Sequence, residues 1–229
     1  MKQVVILCAG KGSRLSPLTD EVPKVLVDVN GRSILEHKLE MLEGFVDEII
    51  LIIGYRGEKI KEKIGNSYGK LKIKYCNQEV PLGSGHAILQ ARDLLIDEFI
   101  VLNGDDFYSL DDLKKLSSEK FAILGLNIEN PRNFGVLELD LNDNLKRIEE
   151  KPENPRSNWI NIGAYAFDVS IFDKELEKSA KGEYEIVDYL NYLVEQEKNV
   201  RVLKTSFWVP INNFEELEIA KERLKHINP

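Results

Sequence analysis

Two segments hold residue types whose spacing could do chemistry. The first is CAGKGSRLSPLTDEVPK, from Cys8 to Lys24. Gly10 and Gly12 let the backbone approach a ligand closely and turn its amides toward phosphate oxygens, while Lys11, Arg14 and Lys24 supply positive charge. That combination reads as a cradle for a polyphosphate. A dinucleotide fingerprint would need glycine where Leu15 stands, and a P-loop would need glycine at Val5 and a hydroxyl at Gly12, so neither applies. A solvated glycine turn with incidental cations is the alternative. The second segment, VLNGDD, places Asp105 and Asp106 just beyond an apolar run. A carboxylate facing a phosphate cradle suits Mg2+, which takes few protein oxygens and keeps several waters. Asp105 is the expected ligand. Asp106 could equally be a helix-initiating turn residue, and the pair together could be a turn and cap ahead of a helix beginning at Leu110.

Both segments require strands that end where a ligand can reach them. Gln3 to Cys8 is a nearly continuous apolar run ending in glycines, the pattern of a buried parallel strand. Apolar spacing then predicts a helix over Ile34 to Glu43, a strand over Glu48 to Ile53, a helix near Glu58 to Ile64 and a strand over Leu71 to Tyr75. A helix over Ser84 to Leu95, a strand over Phe99 to Leu102 and a helix over Leu110 to Ser118 follow. Strict alternation of this kind implies an α/β fold with a mainly parallel sheet, right-handed crossovers, helices on both faces and ligands at the strand C-terminal ends. Strands are expected next over Phe121 to Asn127, Gly135 to Leu139, Leu145 to Glu149 and Ile160 to Phe167, and closing helices near Ile186 to Glu197 and Glu215 to His226. With no linker or composition break, residues 1–229 read as one domain.

Composition bounds the function. The chain has 229 residues, of which 43% are hydrophobic and 31% charged, an ordinary globular balance that excludes disordered and fibrous classes. No apolar run nears the ~20 residues needed to span a bilayer, and the first residues are too short for a secretory signal, so a cytoplasmic protein without a membrane partner is expected. A formal charge of −8 argues against a nucleic-acid partner held by bulk electrostatics. Cys8 and Cys76 end β-rich runs and are expected to be buried reduced thiols. His37, His86 and His226 lack zinc-ligand spacing.

AGKGSRLSPLT with PKVLV, then LGSGHA, NGD, EEKP, INIG and GEYEIVD, in that order, resemble the sugar-phosphate nucleotidylyltransferases. The likeness runs from Lys2 to about Lys225. The stretches Gln78 to Ala87 and Gly182 to Asp188 look most like the uridylyltransferase domain that makes UDP-N-acetylglucosamine, whereas the spacing from Arg14 to Lys24 looks more like the hexose-1-phosphate uridylyl- and thymidylyltransferases. No left-handed β-helix hexapeptides follow, so no appended acyltransferase is expected.

The resemblance implies a Rossmann-like, three-layer α/β/α nucleotidyltransferase fold. Its nucleotide-binding half would span about residues 1–118, and its β-rich sugar-binding half about 119–229. It implies transfer of a nucleotidyl group from UTP or dTTP to a sugar 1-phosphate with Mg2+. Ala9, Gly10, Lys11, Gly12, Ser13 and Arg14 would hold the triphosphate, with Arg14 at the α-phosphate and Lys24 on the phosphates of substrate and product. Gln78, Gly83 and Ser84 would face the nucleotide. Gly135, Asn161 and either Glu149 or Glu150 would bind the sugar, and Lys151 its phosphate. Neighbours on a strand point to opposite faces, so only one of the two glutamates can serve. By the same period of two, Trp159 and Tyr165 share a face with Asn161, where they would line the sugar site or simply pack.

One departure from the family pattern is Pro210, which stands where many relatives carry a second metal-binding aspartate. INN at Ile211 to Asn213 resembles the asparagine segment of the UDP-N-acetylglucosamine branch, aligning Asn212 with the metal; capping of the following helix is the alternative. Two other functions stay open: a CTP-dependent transferase acting on phosphocholine or an alditol phosphate, and a nucleotide-sugar sensor without turnover.

Overall fold

A strand with no apolar and polar alternation must be covered on both faces. Gln3–Cys8, β1, is such a strand, and in the computed structural model, which describes residues 2–179 and 182–225, parallel strands flank it on both sides. After it come a short helix α1 (Leu18–Glu21), a ribbon of β2 (Asp28–Val29) and β3 (Arg32–Ser33), helix α2 (Ile34–Leu42), β4 (Glu48–Ile53), α3 (Gly57–Ile64), β5 (Ser67–Tyr68) and β6 (Leu71–Asn77). The chain continues through α4 (Ser84–Leu89), β7 (Glu98–Asn103), β8 (Asp106–Tyr108), α5 (Leu110–Leu116), β9 (Ala122–Asn127), β10 (Gly135–Leu139), β11 (Leu145–Glu150) and β12 (Trp159–Asp168). It closes with α6 (Val187–Glu195), β13 (Arg201–Thr205), β14 (Trp208–Pro210) and α7 (Phe214–Leu224).

Ten strands make one sheet, ordered β11, β10, β12, β7, β1, β4, β6, β5, with β9 on β12 and β13 on β9. Pairing is parallel among β7, β1, β4 and β6 and antiparallel where β12 meets β7. The α/β class and the mainly parallel, mixed sheet are as expected. Alternate residues of the central strands enter two cores. Val4, Ile6, Ile49 and Leu51 pack on α2, α3 and α5, while Val5, Ile50, Ile52 and Val101 pack on α4 and α6. Each such side chain contributes about 1.5–3 kcal/mol on burial, so coverage of both faces is what holds these strands. A third core seats Leu217, Ala220 and Leu224 of α7 on Leu15, Val29, Phe107 and Val209.

The differences from the sequence expectation lie at element ends. The helix expected to reach Leu95 stops at Leu89 and resumes as a single 3-10 turn at Arg92–Leu94. There Gln3 binds the Leu94 carbonyl at 2.9 Å and the Ile96 amide at 2.7 Å, drawing the chain into the next strand. Residues 106–108 are neither a turn nor a cap. They form β8, which pairs antiparallel with β14, and the cap of α5 is Ser109. The last helix ends at Leu224, and His226 lies outside the described residues. Both cysteines are buried free thiols, and burial pushes Cys8 up to about 12, which makes it inert. Among the described residues, no helix is long and apolar enough to cross a membrane.

Candidate active site

From β1 the sheet grows through β4 and β6 on one side, and the chain then returns to β7 on the other. The loops leaving β1 and β7 therefore diverge at the switch point where open α/β sheets bind ligands. The loop after β1 is anchored by fully buried Leu15 and by Thr19, whose hydroxyl donates to the Gly12 carbonyl at 2.8 Å. Gly10, Lys11, Ser13 and Arg14 are left exposed, with Ala9 half-buried beside β4. Lys24, 8% exposed, pairs its ammonium with the Asp105 carboxylate. Asn212 Oδ1 lies 3.4 Å from both Lys24 Nζ and Arg14 Nη2. Four residues far apart in sequence, Arg14, Lys24, Asp105 and Asn212, thus meet. The capping alternative for Asn212 belongs to its neighbour: Asn213 caps α7, accepting the Glu216 amide at 2.9 Å.

The turn carrying Asp105 is fixed from behind. The Gly104 amide donates to the Leu7 carbonyl at 3.0 Å, and the Ile211 amide to the Asp105 carbonyl at 3.1 Å. Fully buried Lys38 sends its ammonium to the carbonyls of Asn103, at 2.9 Å, and Asp106, and lies 4.8 Å from the centre of the Tyr108 ring. Burial pulls the Lys38 ammonium below the usual lysine range. The Asp106 carboxyl is buried against Asn103 Nδ2 at 2.9 Å and the Tyr108 hydroxyl at 3.3 Å; burial, and then the charge of Asp105, push it well above the usual carboxylate range. Both aspartates reach the cleft wall, but the Asp105 carboxylate is paired with Lys24, whereas the Asp106 carboxyl is held by Asn103 and Tyr108.

Asp105, Arg14 and Asn212 open onto a polar cleft of about 590 Å3 that also contains Gly135, Glu150, Lys151 and Asn161. The register explains the choice between the glutamates. Gly135 pairs with Glu150 across β10 and β11, and Glu150 lines the cleft with Lys151 Nζ 3.6 Å away. Glu149, on the opposite pleat, pairs with Arg147 at 3.6 Å and is not among the lining residues. In β12 the register shifts between Asn161 and Tyr165. Gly163 makes the shift possible: its φ is +77°, and a Cβ there would lie 1.9 Å from Asn103 Nδ2. The bulge lets Asn161 Oδ1 take the Gly163 amide at 2.9 Å and Asn161 Nδ2 meet the Tyr165 hydroxyl at 2.8 Å. Tyr165 therefore lines the cleft, whereas Trp159 packs beneath Lys204, 5.2 Å from its ring centre.

Gln78, Gly83 and Ser84 gather separately, at the end of β6 and the start of α4. The backbone of residues 182–186 runs alongside, with Gly85 N on the Tyr184 carbonyl at 2.8 Å and Tyr184 N on the Leu82 carbonyl at 2.7 Å. Gly83 has φ +102°, and a Cβ would meet the Tyr184 carbonyl oxygen at 2.4 Å, so only glycine allows this approach. The Ser84 hydroxyl accepts the Ile186 amide at 3.0 Å, which ties it to the adjoining segment. Gln78, 6% exposed, donates to the Gly83 carbonyl at 2.9 Å. A Cβ on Gly54 would touch the Ala9 carbonyl at 3.0 Å and the Gln78 carbonyl at 3.1 Å, so this group abuts the loop after β1.

Sequence reasoning missed several cleft residues. Trp208 and Phe134 form one wall, their rings edge to face at 5.8 Å, and the buried Trp208 Nε1 has no partner among the described residues. Lys38 carried a signal: it stands four residues from both Ile34 and Leu42, inside an apolar helical stripe where an unpaired charge does not belong.

A family profile described as Nucleotidyl transferase matches residues 3–226. "Bifunctional protein GlmU" of Methanocaldococcus jannaschii is 40% identical over 227 residues, covering 98% of this chain and 55% of that protein. The chain thus spans about half the length of such curated relatives. "UTP--glucose-1-phosphate uridylyltransferase AglF" of Haloferax volcanii is 30% identical, with coverage of 97% and 96%. A putative glucose-1-phosphate thymidylyltransferase from Bacillus anthracis, solved with sucrose, superposes with TM-score 0.86 at 26% identity, over 100% of this chain and 97% of that one. A UDP-glucose pyrophosphorylase solved with UDP-glucose, TM-score 0.88 and 20% identity with both chains covered at 100%, shares the fold. With its profile match running nearly end to end and its site residues gathered at the sheet's switch point, the chain belongs to the nucleotidyl transferase family.

Proposed function

We propose that this chain transfers a uridylyl or thymidylyl group from UTP or dTTP to a sugar 1-phosphate, releasing pyrophosphate. The observation that carries this reading is the cleft lined by Arg14, Asp105 and Asn212 together with Gly135, Lys151 and Asn161, with Lys24 paired to the Asp105 carboxylate. Cations at both ends suit two phosphorylated substrates, and a carboxylate between them suits their shared metal ion. Mg2+ fits this donor set. Asp105 offers one hard anionic oxygen and Asn212 one amide oxygen, and a metal that takes its remaining ligands from phosphates and water needs no larger protein cluster. Among the described residues no group of three or more His, Cys, Asp or Glu could hold a metal unaided. When bound, Mg2+ would neutralise charge on the triphosphate.

The chain's own residues do the rest. The amides of Ala9 to Ser13 hold the triphosphate, and Arg14 donates to the α-phosphate as negative charge builds there. Lys24 leaves Asp105 for phosphate oxygen. Lys151 holds the sugar phosphate, and Asn161, Gly135 and Glu150 orient the sugar. A sugar phosphate oxygen attacks the α-phosphorus; that bond forms as the bond to the bridging oxygen of the pyrophosphate breaks. Phosphate is already ionised at neutral pH, so no general base is needed, and positioning with charge neutralisation suffices. Gln78 and Gly83 read the pyrimidine. Pyrophosphate release from the common NTPs with hexose, hexosamine and muramyl 1-phosphates, and with phosphocholine and alditol phosphates, tests the proposal. Turnover only with CTP and an alcohol phosphate, or nucleotide-sugar binding without turnover, would replace it.

A further inference from the structure

Both amide hydrogens of Gln78 are in use. Nε2 lies 2.9 Å from the Gly83 carbonyl and 3.1 Å from His86 Nδ1. The Gly83 carbonyl can only accept, which fixes the amide nitrogen on that side, and with it the donor that faces His86. Nδ1 must then accept, so the histidine proton sits on Nε2. The Gln90 amide nitrogen lies 3.2 Å from both His86 Nε2 and the His86 carbonyl, and a half-turn of that carboxamide brings its oxygen to the Nε2 proton while giving up the bond to the carbonyl. The His86 ring is held by stacking on Tyr184, centroids 6.2 Å apart and planes 27° apart. What remains of Gln78 for a ligand is its Oε1 lone pairs, for which the described residues supply no donor.

We infer that His86 is a positioning residue for base selection, adding its Nδ1 to the Gly83 carbonyl in holding the Gln78 carboxamide so that it presents an acceptor and selects pyrimidines that carry a proton on N3. Uracil and thymine have that N–H; cytosine has a lone pair there, and would meet Oε1 acceptor to acceptor. An unlocked carboxamide could turn to suit either ring, so Gln78 alone discriminates poorly. This inference rests on the proposed reading of the base by Gln78 and assigns its specificity to a neighbour that touches no substrate.

The test is direct binding of UTP and CTP to the full chain by calorimetry, which needs no sugar substrate, with His86→Phe and His86→Asn. Phenylalanine keeps a ring on Tyr184 but removes the acceptor; asparagine keeps an acceptor near the Nδ1 position. His86→Phe should narrow the UTP to CTP affinity ratio about fivefold, the weight of one ordinary hydrogen bond, with UTP affinity itself less changed. His86→Asn should retain most of the ratio. A parental ratio preserved in His86→Phe, or lost equally in both variants, would overturn the role of Nδ1 while leaving the base reading intact. Equal binding of UTP and CTP by the unsubstituted chain would overturn the base reading and this inference together.

Discussion

Asp105→Asn separates chemistry from stability at the centre of the site. Asparagine keeps the size and an oxygen but loses the charge that would hold the metal. Removing one well-placed electrostatic group costs on the order of 3 kcal/mol in the transition state, so kcat should fall roughly a hundredfold. The effect on folding is smaller because two terms oppose. The Lys24 to Asp105 pair has side chains 10% and 28% exposed, so its loss falls between the near-zero value of a surface pair and the ~3–5 kcal/mol of a broken buried one. Lys24 keeps Asn212 Oδ1 at 3.4 Å. Against this, Asp105 is one of the causes holding the Asp106 carboxyl above its ordinary range, and removing its charge relieves that repulsion. The net cost should stay within about 2 kcal/mol, a Tm shift of less than about 8 °C for a chain of this size. A sign follows for pH. An acid with a raised folded-state pKa binds more protons folded than unfolded, so its ionisation erodes stability as pH rises above the ordinary carboxylate range. That erosion should be weaker in the variant. Initial rates of pyrophosphate release over a Mg2+ series, with thermal melts at pH 5 and 7, provide the measurements. Turnover within threefold of the parent at saturating Mg2+ would refute the assignment of Asp105.

Arg14→Ala should lower kcat more than it raises KM for the nucleotide, because a charge-assisted contact to the α-phosphate strengthens in the transition state; a rise in KM alone would make Arg14 a ground-state clamp. Lys38→Met leaves the carbonyls of Asn103 and Asp106 without their donor, at about 1–3 kcal/mol each, partly offset by removing a desolvated charge. A lower denaturation midpoint and a raised Mg2+ requirement are expected, and an unchanged midpoint would show that the ammonium does not hold the turn. Burial would raise the Asp168 carboxyl, but the Lys120 ion pair at 2.6 Å and the bonds from Ser170 more than offset it, and its pKa is lowered. A depressed carboxylate stabilises above its unfolded pKa and loses that contribution as pH falls through the folded one. Asp168→Asn should therefore cost about 1 kcal/mol at pH 7, discounted because Lys120 is largely exposed, and nothing once both forms are protonated; an equal cost at pH 2.5 in denaturant titrations would rule out the charge.

What the sequence made legible follows the physics of repetition. β1, β4 and β10 begin and end where apolar patterning places them, because a strand buried on both faces is apolar for most of its length: the polar residues are Gln3 and Glu48, at the first positions of β1 and β4, and Glu138, next to last in β10. The loop after β1 stood out as a candidate because glycines and cations in one stretch have few structural reasons to coincide. The β8 and β14 pair was not: three residues are too short for a period, and each strand exists only because the other lies beside it. Glu150 over Glu149 depended in the same way on register, since a shift of one residue exchanges every side chain between faces.

Lys38 shows where local and long-range information part. Its place in an apolar stripe announces a conflict, yet nothing within the helix says what resolves it. The resolution is a turn 65 residues away, at the Asn103 carbonyl, that sits beside the expected metal ligand. A charge costs several kcal/mol to bury, and two carbonyls that would otherwise lack donors supply the compensation. The same ammonium also limits how the Asp105 turn can move, because shifting the turn would strand the charge. On this argument the stiffness of the Asp105 turn comes from the core rather than from the loop, and the strands on either side are joined through it: the Tyr108 hydroxyl donates to the Gly163 carbonyl at 2.9 Å, in the bulge that shapes Asn161. A site assembled this way is read from pairs of distant residues, each unremarkable alone.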